Sequence, residues 1–183
     1  FIIQVAIVYV FASIAKFYPD WLDGTFTRNL LADSTNVITL KKLFLQKWFY
    51  LFIAYMGIIF DLLIVPLLLF KKTRMLALLA SLTFHLFNAI FLEIGIFPFF
   101  ALTFALFFYE PETIRSVFLR RKTSIETDNG HSNYYGKKIV YFLIIPYLII
   151  QLLLPLRHHF IEGDVLWTEE GQRLSWRMML RER

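Results

Sequence analysis

Long apolar runs alternate with shorter polar segments along the chain. A helix needs roughly 20 apolar residues to cross the hydrocarbon of a bilayer. The run 75–108 is too long for one crossing and a little short for two. If the basic loops on either side of it are both cytoplasmic, it must cross twice, as a tight hairpin that turns near Glu93 and Gly95. The pattern therefore predicts an all-α fold, a multi-span transmembrane helical bundle. Its spans are expected at about 1–16, 48–70, 75–92, 95–108 and 139–156.

The composition supports lipid as the solvent for these runs. Hydrophobic residues make up 58% of the 183 positions, 21 of them phenylalanine, and the mean hydropathy is +0.59. A soluble core is too small to hide that much apolar surface. We expect one membrane domain over 1–156 and an outer-face segment over 157–183. Because the chain begins with Phe1 inside an apolar run, we also expect it to be a fragment.

Basic loops indicate the orientation of the bundle. The short loop "KKTR" at 71–74 and the polar segment 109–138 are rich in Lys and Arg, which favours the cytoplasmic side. The end of the first span, segment 17–47 and the tail then share the outer face. The net charge of +5 reflects this flanking charge near anionic lipid, and we expect no nucleic-acid partner. Without cysteine, disulfides and thiol chemistry are excluded, and no motif predicts a metal site.

Polar residues inside the apolar runs are the first candidates for function, since charge in hydrocarbon is expensive. Asp61 lies in the middle of "MGIIFDLLIVPLLLF". Ser81, His85 and Asn88 are spaced by four and three residues, so they share one helix face. That face must look into the bundle or a cavity, where its polar groups find partners. The alternative for Asp61 and for the stripe is a structural role, pairing between neighbouring helices.

Lys16 ends the first apolar run in "FASIAKFYPDWLDG". Pro19 disfavours helix at Tyr18, which places Lys16 in the last helical turn. One interpretation is a snorkelling lysine at the headgroups, favourable to the helix dipole. The other turns Lys16 inward, where loss of water disfavours an ammonium and allows an amine to act as a base. The residues alone leave both interpretations open.

Three segments carry a resemblance to a known family. "AKFYPDWLDG" resembles the active-site lysine segment of the vitamin K-dependent gamma-glutamyl carboxylases, which have a horizontally transferred transmembrane (HTTM) domain. "DLLIVPLLLF" and "FHLFNAIFLEIGIFPF" are similar to that family's Asp-bearing span, H-x-x-N helix and I-G-x-F turn. "LLPLRHHFIEGDVLWTEEGQRLSWRMML" is similar to the family segment that leaves the last span, with its W-T and S-W-x-M-M pattern. The resemblance covers about 11–181, except 109–138.

The resemblance implies an enzyme, a carboxylase and epoxidase of the lyase class. Lys16 is then the base that deprotonates vitamin K hydroquinone, the co-substrate. In the family mechanism O2 then adds to the deprotonated quinol, and the epoxide and a strong alkoxide base form. The alkoxide removes a γ-proton from a glutamyl side chain, and CO2 traps the resulting carbanion. His85, Asn88 and Asp61 match the quinol region, and Ser175 and Trp176 match the segment linked to glutamate handling. The implied partners are the lipid bilayer and a glutamate-containing protein or peptide, with the active site near the outer, non-cytoplasmic face.

Departures from the family pattern keep other functions open. The chain lacks the upstream segment with the histidine linked to CO2 addition, and its tail enters an extramembrane β-rich domain that is mostly absent. Gln172 and Arg181 stand where the animal enzymes have tyrosine and histidine, so epoxidation without carboxylation is one alternative. A second is a quinone- or lipid-binding membrane module without turnover. A third is a proton-coupled transporter with a relay of Asp61, His85 and Lys16.

Overall fold

The fold is helical throughout the part of the chain that is described. A computed structural model describes residues 1–34, 37–92, 95–118, 138–161 and 174–176, and these contain no strand. The helices are α1 (Ile2–Ile14), α2 (Pro19–Leu22), α3 (Thr25–Ala32), α4 (Ile38–Phe44), α5 (Lys47–Leu69), α6 (Arg74–Phe91), α7 (Phe97–Ala105), α8 (Pro111–Phe118) and α9 (Ile145–Leu153). A 3₁₀ turn, Leu106–Phe108, extends α7. A π-helical segment, Val140–Ile144, precedes α9, and a 3₁₀ segment, Leu154–Phe160, follows it.

Within the described residues, three helical stretches are long and apolar enough to cross a membrane. They are Lys47–Leu69, Arg74–Phe91 and Val140–Arg157. The helices Ile2–Ile14 and Phe97–Phe108 are apolar but shorter. The described residues thus confirm an all-helical fold with helices suited to a membrane. The count of five spans, the domain boundary at 156 and the β-rich outer domain stay predictions. Glu93, at the predicted hairpin turn, lies outside the described residues.

Helix α5 is the centre of the bundle, because α1, α3 and α6 all pack against it. The largest apolar cluster joins α1, α5, α6 and α7, and its buried members are Val5, Tyr9, Phe60, Ile64, Val65, Leu68, Ala77, Ala105 and Phe108. The last span contacts α1, where the Gln4 amide donates to Gln151 at 3.4 Å. Most of that span faces outward, as expected for a helix in lipid.

The loop between α5 and α6 supplies the caps that a helix end in a membrane needs. The Thr73 hydroxyl donates to the Leu67 carbonyl at 2.7 Å, and Arg74 Nε donates to the Leu68 carbonyl at 2.9 Å. These carbonyls belong to the last turn of α5, which has no intrahelical partners for them. The basic loop therefore closes the helix end as well as setting the charge of this face.

Short helices α2 to α4 cover the other end of α1 and α5. Trp21 on α2 donates its indole N–H to the Ala54 carbonyl at 2.9 Å, and its ring stacks on Phe26. Gly24 links α2 to α3 with φ of +81° and lies against Tyr50. Through these contacts, the segment after Lys16 is fixed on the surface of α5.

Candidate active site

A buried polar stripe runs along α1 and faces the bundle. Tyr9, Ser13 and Lys16 follow one another at spacings of four and three, and each is buried. The Ser13 hydroxyl donates to the Ile58 carbonyl of α5 at 3.4 Å. Lys16 lies just beyond the last residue of α1, where its backbone N–H still bonds to the Ser13 carbonyl at 3.0 Å. The stripe therefore places Lys16 against the middle of α5.

Lys16 is directed into the protein, and only 4% of its surface is exposed. Its Nζ forms an ion pair with Asp61 Oδ2 and donates to the Ala12 carbonyl at 3.3 Å. The Trp21 ring lies with its centroid 5.4 Å from Nζ. A snorkelling lysine at the headgroups would be exposed, so the inward interpretation fits this geometry.

Gly57 lies where Lys16 and Trp21 approach α5. A Cβ at this position would lie 3.9 Å from Lys16 Cε and 3.5 Å from Trp21 Cζ2. Alanine would fill the space without collision, but a larger side chain would displace the lysine or the indole. The glycine one turn before Asp61 thus leaves room for the lysine beside its partner.

Asp61 is 5% exposed and lies in the middle of α5, a helix long and apolar enough to cross a membrane. An isolated carboxylate there would be costly, and the Lys16 ammonium compensates that cost. The pair joins α1 to α5, so it has a structural consequence whatever its chemistry. It also places an amine and a carboxyl group in direct contact in the buried interior of the bundle.

His85 occupies an aromatic cage on the interior face of α6. Its Nε2 lies 3.0 Å from the Tyr9 hydroxyl, and the ring meets Phe60, Phe84 and Phe97 at steep angles. Within the described residues, His85 Nδ1 has no hydrogen-bond partner. A neutral imidazole bonded at one nitrogen can donate or accept at the other. His85 can therefore offer Nδ1 to a bound group.

The predicted stripe of α6 does point inward. Ser81, His85 and Asn88 are all buried, and the Ser81 hydroxyl oxygen also lacks a partner among the described residues. Phe60, which packs on both His85 and Tyr9, directly precedes Asp61. The polar groups of α1, α5 and α6 are thus neighbours around one interior region.

Tyr9 was not among the residues singled out from the sequence. Its signal was present, since Tyr9, Ser13 and Lys16 repeat the four-and-three spacing that marks the stripe on α6. A tyrosine in an apolar run is easily taken for a core or interface side chain. Only the tertiary structure, in which α1 and α6 both pack on α5, shows that its hydroxyl meets His85.

Ser175 and Trp176 lie in the short described segment 174–176. Ser175 is buried, and Trp176 adopts a positive φ of 56°, which is uncommon for a bulky residue. The Lys16 and His85 contacts described above come from α1, α2, α5, α6 and α7, so a role for Ser175 and Trp176 stays a prediction. Gln172 and Arg181 lie outside the described residues.

Comparison with known families gives two matches along the chain. The family model described as the HTTM domain matches residues 1–112, more than half of the sequence. A second, described as the lumenal domain of vitamin K-dependent gamma-carboxylase, matches residues 136–183. No solved structure gives a significant match. The two matches confirm the resemblance that the sequence motifs indicated.

Proposed function

We propose a function for this chain from the premise that it belongs to the HTTM domain family, as the match over residues 1–112 shows. The proposed function is that of a membrane enzyme that oxidises vitamin K hydroquinone to its epoxide and carboxylates glutamate residues of a protein. The match to the carboxylase lumenal domain over residues 136–183 supports the finer assignment. O2 and CO2 are the remaining reactants of this chemistry.

The observation that carries the proposal is the buried Lys16–Asp61 pair. A base for a quinol hydroxyl must lie where the apolar quinol can reach it and where water does not compete for the proton. Lys16 is buried beside Asp61, next to a cluster of apolar side chains. We assign Lys16 as the residue that removes the quinol proton.

His85 and Asn88 are assigned to quinol binding. His85 Nδ1 has no hydrogen-bond partner among the described residues and lies within an aromatic cage, which suits a ring that carries hydroxyl groups. Asn88 lies one turn further on the same buried face. Asp61 is assigned to the same quinol site because it contacts Lys16. Ser175 and Trp176 are assigned to the glutamate substrate on the strength of the family resemblance alone.

Transport is a weaker candidate than catalysis. A proton path through Asp61, His85 and Lys16 would need polar groups along the whole bundle. Among the described residues, the fully buried side chains near the "KKTR" loop are apolar, namely Val5, Leu68, Ala77, Ala105 and Phe108, while Gln4 at this end is half-buried and bonds to Gln151. This apolar end favours a site that is open on one side only.

A binding module without turnover is the second candidate function. Ser81 Oγ and His85 Nδ1, which lack partners within the described part of the chain, favour a polar ligand in this region whether or not it reacts. Such a module would bind vitamin K hydroquinone and leave it unchanged.

The test is epoxide formation from vitamin K hydroquinone by the protein in lipid nanodiscs. Lys16→Ala is expected to abolish it, whereas Lys42→Ala, at an exposed lysine of α4, keeps the normal rate. An unchanged rate in Lys16→Ala would refute its role as the base. Labelled CO2 uptake by a glutamate peptide tests carboxylation separately, and epoxide without uptake would remove only that half.

A further inference from the structure

The surroundings of Lys16 fit a charged ammonium. An ammonium has three N–H donors, and three acceptors surround Nζ: the Asp61 carboxylate, the Ala12 carbonyl and the face of Trp21. An ammonium paired with an ionised Asp61 satisfies all three contacts, and it is the state from which the proposed step starts.

A charged lysine cannot take a proton, so a base in this site must first lose one. Asp61 Oδ2 is already in hydrogen-bond contact with Nζ. Of the described residues that contact Nζ, Asp61 is the one whose side chain can accept a proton. Moving the proton from Nζ to Oδ2 turns the ion pair into a neutral amine and a neutral carboxylic acid. Neither charge then needs compensation in the dry interior.

We propose that Asp61 stores the proton that activates Lys16, so that the base is the pair and not the lysine alone. This inference rests on the proposed function. Asp61 takes one proton from Nζ, and the freed amine then takes the hydroxyl proton of the quinol. The end state holds a quinolate anion, a Lys16 ammonium and a protonated Asp61. One O–H bond breaks, one O–H bond forms on Asp61, and the total charge stays zero.

The electrostatic consequence favours the reaction. The ammonium is restored next to the newly formed quinolate, so the anion has a cation in contact with it where water is absent. Asp61, now neutral, no longer competes for that cation. Without the carboxylate, the lysine would have to release its proton to a distant group before each turnover.

The variants Asp61→Asn and Asp61→Glu test this role. Asparagine preserves the shape of the side chain and hydrogen bonding but cannot accept a proton, so kcat for epoxide formation should fall by about 100-fold or more. KM for the quinol should change little. Glutamate should restore a substantial part of the rate. Lys16→Arg should be as inactive as Asp61→Asn, because a guanidinium does not give up its proton.

Infrared difference spectra provide a second readout, which does not depend on turnover. Vitamin K hydroquinone is added to the wild-type protein in nanodiscs without O2, so that the reaction stops at deprotonation. A new carboxylic acid C=O band should appear, and it should be missing in Asp61→Asn. If Asp61→Asn fails to fold, the presence or absence of this band in the wild-type protein remains the test of the Asp61 role.

The outcomes separate the two levels of the account. No epoxide from the wild-type protein would overturn the proposed function itself. Epoxide from the wild-type protein together with normal kcat in Asp61→Asn would overturn only the role of Asp61. Absence of the carboxylic acid band in an active wild-type protein would do the same.

Discussion

Lys16 and Asp61 compensate each other's cost of burying a charge, and either residue alone would destabilise the bundle. Removing one partner of a buried pair leaves a charge that the membrane interior cannot solvate. Replacing both by apolar residues of similar volume removes that problem. A single variant should therefore be less stable than the wild-type protein, whereas the double variant should be about as stable or more stable.

Lys16→Met alone should lower the free energy of unfolding by about 3–5 kcal/mol, since Asp61 is left unpaired. The double variant Lys16→Met with Asp61→Leu should return close to wild-type stability or exceed it. Thermal unfolding in detergent micelles measures both. If the single and double variants are equally destabilised, the pair is not the reason for the loss.

The hydroxyl of Tyr9 makes a specific contribution to the bundle. Tyr9→Phe keeps the packing on Phe60 but removes the bond to His85 Nε2, so the unfolding free energy should fall by about 1–3 kcal/mol. Tyr55→Phe is a matched control, because the Tyr55 hydroxyl bonds to the Leu22 carbonyl at an exposed site. Equal losses in the two variants would contradict a buried role for the Tyr9 hydroxyl.

Single residues were predictable here, but their pairing was not. Asp61, His85 and Lys16 stand out because each is polar within an apolar run. Which of them meet depends on the register of α1 against α5 and on the position of Gly57. Apolar periodicity does not fix that register, since lipid-facing and core-facing positions are both hydrophobic in a membrane protein. The same ambiguity hid Tyr9.

At the scale of the helices, two glycines with positive φ provide a matched test of the α2–α3 connection. Gly24 and Gly95 have φ of +81° and +71°, so alanine is strained at both, by about 1–2 kcal/mol. Only at Gly24 would the new Cβ also meet Tyr50, at 2.7 Å, whereas the space at Gly95 is open. Gly24→Ala should therefore be clearly less stable than Gly95→Ala in the same unfolding assay. Equal stability would mean that the α2–α3 turn does not pack on α5 as described.

The helical elements follow from the sequence more directly than the site does. Apolar length alone predicts α5, α6 and the last span, and the start of α2 agrees with Pro19 at its first position. The short helices between α1 and α5 were not predicted. Their stability comes from contacts such as Trp21 with Ala54, which are tertiary and carry no local sequence pattern.

For the molecule as a whole, the orientation in the membrane is the next point to test. The basic loop between α5 and α6 is predicted to be cytoplasmic, and the segment between α1 and α5 to lie outside. The sequence has no cysteine, so Asp33→Cys and Lys72→Cys each introduce one thiol, and both sites are exposed. A membrane-impermeant maleimide added to intact cells should label Asp33→Cys, and should label Lys72→Cys only after lysis. The opposite pattern would invert the topology and place Lys16 near the cytoplasmic face.

If the buried Lys16–Asp61 pair is the base that activates vitamin K hydroquinone, a folded protein without the pair cannot form the epoxide. The most direct test uses the double variant Lys16→Met with Asp61→Leu, which should remain folded. Epoxide formation is measured in nanodiscs beside the wild-type protein, after thermal unfolding has shown that both are equally stable. The wild-type protein should be active, and the equally stable double variant should form no epoxide. A stable double variant that still forms epoxide at the wild-type rate would contradict this role of the pair.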